Sequence, residues 1–177
     1  MDKRVGFGPR LAAAVIDVVV ITILGLVFGG MLGAALGLGA GAAAGLADAG
    51  EAAAAAAAAA GALGGMAIGI SLIGFLYSLI EGLTGASPGK MILKLKVGTA
   101  DGRNAPISTY LTRWAVKYSN ALLGTLGVIT GVPIINWLGT VAGLVVFVGC
   151  FLVLGASKQA IHDMVAKTAV YNRADLG

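Results

Sequence analysis

The chain has 177 residues, 58% of them hydrophobic and only 11% charged, with a mean hydropathy of +0.95. Soluble domains carry about 25% charged residues, so this composition excludes an ordinary soluble fold and makes lipid the main solvent. The formal charge of +4 and a pI near 9.4 could suggest nucleic acid. However, the twelve Lys and Arg fall into three clusters that flank apolar segments: Lys3, Arg4 and Arg10; Lys90 to Lys117; Lys158, Lys167 and Arg173. No aromatic residues interleave them for stacking on bases, so the placement reads as positive-inside anchoring, with no nucleic-acid partner.

In chain order, the pattern predicts an all-α membrane protein of one domain, residues 1–177, with four transmembrane helices. The spans lie at about 11–47, 52–84, 113–131 and 136–156, with a polar loop at 85–112 and a tail at 157–177. Four spans put both termini and the 85–112 loop on one side. The basic clusters make that side the cytoplasm. A cleaved signal peptide is disfavoured, because the first apolar stretch far exceeds a 7–15-residue h-region and contains Asp17.

The first two spans are too long for a bilayer. At 1.5 Å per residue, 37 residues reach about 55 Å against a core of ~30 Å. The nine alanines Ala52–Ala60 are strong helix formers. Both legs are therefore expected to continue outside as a Gly/Ala-rich hairpin turning near Ala47–Gly50. Gly25, Gly29, Gly33, Gly37, Gly41 and Gly45 recur every four residues, giving a bare helix-packing ridge of the glycine-zipper kind. The ridge serves either the hairpin itself or a partner subunit.

In the loop, "SPGK" (Ser87–Lys90) and "ADGR" (Ala100–Arg103) are turn signals. "ILKLKV" (Ile92–Val97) suits a short strand or a stretch on anionic headgroups, and a small hairpin is expected there. Ser108 or Thr109 can N-cap the helix that runs through Arg113 into the third span. "SPGK" is no phosphate loop, since the G-x-x-x-x-G-K-[ST] pattern is missing. Cys150, the single cysteine, reads as a packing residue.

Asp17 is the anomaly. An Asp at a helix centre costs ~2.5–3.5 kcal/mol on insertion. The thirteen Leu, Ile, Val and Phe of residues 11–33 supply at most about −4 to −8 kcal/mol. The span inserts, but Asp17 must face protein or water and be paired or protonated. Arg10, seven residues earlier on the same face, is the first expected partner, and Arg113 the second. Topology gathers Glu81, Arg113, His162 and Asp163 into the same cytoplasmic half, so the candidate membrane-embedded polar cluster is Arg10, Asp17, Glu81, Arg113, His162 and Asp163. No nucleophile elbow, H-E-x-x-H or dinucleotide fingerprint is present. The pattern predicts no enzyme, no catalytic residue, no metal and no cofactor.

"GPRLAAAVID", "GASPGKMILKLKV" and "KQAIHDMVAKTAVY" together resemble, in order, the motifs of the RDD family of small bacterial membrane proteins, named for one Arg and two Asp. The resemblance makes Arg10, Asp17 and Asp163 the defining triad, with Glu81 before the middle motif and His162 and Thr168 beside the last aspartate. Residues 34–61 depart from it, since members generally carry a shorter, less Gly/Ala-rich loop. The resemblance implies the bacterial inner membrane and a possible link to transport, but no reaction. Two functions follow as expectations: an accessory or structural subunit of a membrane assembly, with a protein partner or homo-oligomer on the Gly/Ala hairpin, or an ion- or proton-coupled transporter using Asp17.

Overall fold

The computed structural model describes residues 3–177. The chain is mostly helical and contains three helices long and apolar enough to cross a membrane, Phe7–Leu46, Glu51–Thr84 and Pro133–Leu154. It divides into two compact units, one of residues Ile16–Tyr77 and one of residues 3–15 with Ser78–Gly177.

The first unit holds most of α1 (Phe7–Leu46) and α2 (Glu51–Thr84). Forty and thirty-four residues give axial lengths of about 60 and 50 Å. The two helices are joined by a turn in which Asp48 and Gly50 take positive φ, 52° and 83°. They approach so closely that backbone meets backbone. A Cβ built on Gly33 would lie 2.6 Å from Ala62 O, one on Gly65 2.7 Å from Leu32 O, and one on Gly69 2.5 Å from Gly29 Cα. Gly29 and Gly37 face α2 backbone at 2.8 and 2.9 Å in the same sense, Gly41 meets the Ala58 methyl at 2.9 Å, Gly25 makes only ordinary contact with Ile70, and Gly45 faces open space.

That geometry separates two classes of glycine. Gly65→Ala and Gly69→Ala should each cost about 1–3 kcal/mol, because the added methyl meets backbone that cannot rotate away. Gly30→Ala and Gly64→Ala, where a Cβ meets nothing, should be neutral or slightly stabilising. Unfolding in mixed micelles measures both classes, and equal effects would contradict the close approach.

The second unit is built differently from the expectation in two respects. First, the chain is not purely α-helical: β1 (Leu95–Thr99) pairs antiparallel with β2 (Thr168–Asn172), Val97 facing Val170. The strand in "ILKLKV" therefore starts three residues later. Its main partner is the C-terminal "TAVYN", and the expected local hairpin is reduced to the bridge Gly98↔Asn104. Val5, whose N–H donates to Val170 O, lines the other edge of β2. Val5, Ala13, Leu95, Val97, Tyr110 and Val170 form the buried core, with Leu93 and Ala105 against it.

Second, the third apolar segment is not one helix over 113–131. α4 (Ile107–Lys117) stops at Tyr118 (φ −105°, ψ 19°), and α5 (Ser119–Thr130) follows. Tyr, Ser and Asn in succession are weak helix formers, and α4 is amphipathic where α5 is apolar. Twelve residues give α5 about 18 Å, short of a ~30 Å core. The α4 N-cap is Pro106, with no side-chain cap from Ser108 or Thr109. α5 returns through Gly131 (φ 66°) and Pro133 at the first turn of α6 (Pro133–Cys150). Gly127 lies against Asn136, and Gly139 against the Asn120–Gly124 stretch. A short 3-10 turn, Phe151–Leu154, prolongs α6, and α7 (Ile161–Val165) precedes β2.

Candidate functional site

Five of the six expected cluster residues, Arg10, Glu81, Arg113, His162 and Asp163, meet in the second unit. Asp163 sits in the first turn of α7 and is fully buried. Its Oδ2 accepts from Arg10 Nη1 at 2.5 Å and from the Ala160 N–H at 3.2 Å, and its Oδ1 accepts from Arg113 Nε at 2.6 Å. A carboxylate at a helix N-terminus also gains from the local dipole. Burial alone would raise its pKa, yet the guanidinium charges of Arg113 and Arg10 hold it well below the ordinary carboxylate range.

Arg113 is 3% exposed and spans both halves of the cluster. From its place on α4, Nε reaches Asp163, Nη1 reaches Glu81 Oε1 at 2.6 Å, and Nη2 lies 3.1 Å from His162 Nε2. A guanidinium can only donate, so His162 Nε2 accepts and the proton of the neutral ring sits on Nδ1. His162 is buried, and its pKa is lowered to about 3 by that burial and by the Arg113 charge. Among the described residues its Nδ1 has no hydrogen-bond partner.

Glu81, at the end of α2, is 3% exposed and does not reach for solvent. It accepts from Arg113, Lys90 and Lys117. Lys90 and Lys117 complete the cluster, which the sequence reading did not assign to them. "SPGK" reads as a turn in the sequence, whereas Pro88 starts the short helix α3 (Pro88–Ile92), which buries Lys90 against the acid. Burial lowers the Lys90 ammonium to about 8, with Glu81 opposing the shift. The signal was available in part, since a buried-side Glu needs cations from a neighbouring element.

Two carboxylates thus face four cations, and each carboxylate oxygen has at least one charged donor. Arg10 supplies Nε to Val5 O and Nη2 to Lys158 O as well, at 3.1 and 2.8 Å. All three of its guanidinium nitrogens are engaged by groups other than Asp17, as are those of Arg113. The expected pairing of Asp17 with Arg10 or Arg113 is therefore corrected. A partner of Asp17 is the hydroxyl of Tyr77, donating to Oδ1 at 2.7 Å between α1 and α2. Sequence reasoning looked for a charge and passed over a tyrosine on the facing helix.

Among the described residues no group of three or more His, Cys, Asp or Glu could hold a metal ion. The arrangement locks four helices and the start of α1 together through ions, and offers the solvent little free polar surface at its centre. It also explains a pattern in the chain's own motifs, because the arginine of the first and the aspartate of the last are one salt bridge across 153 residues.

No curated protein and no solved structure matches the chain. The RDD family model matches residues 4–167, a stretch that contains the Arg10–Asp163 pair, Asp17, Glu81 and Arg113. The chain belongs to the RDD family.

Proposed function

We propose that this is a non-enzymatic, multi-pass protein of the bacterial inner membrane that serves as an accessory or structural subunit of a membrane assembly. Its crossings are α1, α2, the α4–α5 leg and α6, with both termini on the cytoplasmic side where the basic residues collect. One observation carries the reading: the buried Glu81, Arg113 and Asp163 and the half-buried Arg10 are partners of one another. A network in which each carboxylate oxygen is held by a cation fixes the elements it joins in place. Large apolar side chains such as Leu38, Leu46, Val128 and Ile129 remain exposed, a surface suited to lipid and to a neighbouring subunit. Purification in mild detergent, followed by native mass measurement, should find the 17.5-kDa chain in a stoichiometric homo- or hetero-oligomer. A monodisperse monomer at all protein concentrations would overturn the reading.

The transporter reading has one observation in its favour. Asp17 lies in an apolar helix, where an ionisable side chain is costly and rare, and accepts from the Tyr77 hydroxyl. If Asp17 couples ion or proton movement, flux into reconstituted vesicles should vanish in Asp17→Asn and persist, reduced, in Tyr77→Phe. Undiminished flux in Asp17→Asn would remove Asp17 as the coupling residue.

A further inference from the structure

Away from the buried network, the second unit has a cleft of about 310 Å³ lined by Thr84, Ala86, Met91, Lys94, Leu95, Lys96 and Arg173. Three of these side chains are cationic and none is acidic. Lys94 takes a positive φ of 55°, and its carbonyl accepts from the Arg173 N–H at 2.7 Å. That bond fixes the two residues side by side at the open end of the β1–β2 ladder. Among the described residues, neither side chain has an ionic or hydrogen-bonding partner, and Lys96 meets only the neutral amide oxygen of Asn104 at 3.1 Å. The Lys94 and Arg173 side chains are exposed. The cleft therefore carries three charges that the protein itself does not neutralise.

Its position says what kind of anion fits. Thr84 is the last residue of α2, a helix apolar and long enough to cross a membrane, so the cleft opens at headgroup depth. Beside it, Leu83, Met91 and Ile92 are 53%, 43% and 64% exposed. An apolar lip next to a cationic rim is what a lipid requires and a free ion does not.

We propose that this cleft binds the phosphodiester of an anionic glycerophospholipid. Lys94, Lys96 and Arg173 would hold the phosphate, and Leu83, Met91 and Ile92 the start of the acyl chains. The proposal rests on α2 crossing the bilayer and is independent of whether the protein is a subunit or a transporter.

Native mass spectrometry of the purified protein in a non-ionic detergent tests it, with phosphatidylglycerol and phosphatidylcholine titrated separately. Phosphatidylglycerol should bind well above phosphatidylcholine. Lys94→Gln, Lys96→Gln and Arg173→Gln combined should weaken it about a hundredfold, each surface cation contributing about fivefold. Arg173→Gln alone, at an exposed side chain, should give the single fivefold step without altering the melting temperature. Equal binding of the two lipids, or unchanged binding in the triple variant, would overturn the proposal. Displacement of phosphatidylglycerol by equimolar inorganic phosphate would also overturn it, since the site would then read phosphate without the lipid.

Discussion

Asp163→Ala should destabilise the protein by about 3–5 kcal/mol, the range for removing one side of a buried ion pair. Asp163 is wholly buried and accepts from Arg10, Arg113 and the Ala160 amide. Without it, Arg10 and Arg113 lose the carboxylate they share, and Lys90, Arg113 and Lys117 are left with Glu81 alone. Removing a partner as well should relieve part of this. Arg10→Ala with Asp163→Ala should be less damaging than the sum of the two, with a coupling of at least ~1 kcal/mol in a double-mutant cycle. Thermal unfolding in non-ionic detergent supplies the four stabilities. Strict additivity would mean that the 2.5 Å contact contributes nothing that either residue does not contribute alone.

How far such a network can be read from the sequence depends on which signal carries each member. Arg10, Glu81, Arg113, His162 and Asp163 were legible because ionisable groups at the edges of apolar segments are costly and few, so they must converge on one another. Their pairing was not. Seven residues of helix put Arg10 and Asp17 on one face, and proximity in sequence made that pair look cheapest. The alternative, Asp163, lies 153 positions away, and nothing local marks it as nearer. Long-range pairing is decided by the β1–β2 ladder and the Val5–Val170 bond, which bring both chain ends together.

Lys90 was hidden for a different reason. Pro and Gly signal a turn whatever the burial, and the turn chemistry said nothing about the helix α3 it initiates. The break at Tyr118 was equally hidden, because apolar residues on both sides of it give one continuous hydropathy signal. The α1–α2 approach was more legible, since a glycine every four residues has few uses in a helix other than close contact. What spacing alone could not say was where the contact stops. It weakens at Gly25 and is absent at Gly45, leaving Gly29 to Gly41 against α2.

Acid should weaken this protein well before Asp163 takes up a proton, and His162 is the reason. In the folded chain its ring is neutral down to about pH 3, because it is buried and because Arg113 donates to Nε2. In an unfolded chain the ring takes a proton near pH 6.5. Between those values the unfolded state binds more protons, so stability falls as pH falls, by up to about 1.4 kcal/mol per pH unit. From pH 6 to pH 4 the loss from this residue comes to about 2.5 kcal/mol. Asp163, whose pKa is depressed in the folded state, acts in the same direction only lower, as pH drops below about 4. The groups facing the ring are Arg113, Asp163, Lys117 and Glu81; Asp163, held low by the guanidinium charges beside it, stays ionised across the window. His162→Gln keeps an acceptor for Arg113 and has no proton to gain, so its unfolding midpoint should change far less between pH 6 and pH 4. Parallel pH profiles for the two proteins would show that the acid sensitivity lies elsewhere, whereas a flattened profile in the glutamine variant would assign it to the one histidine in the chain.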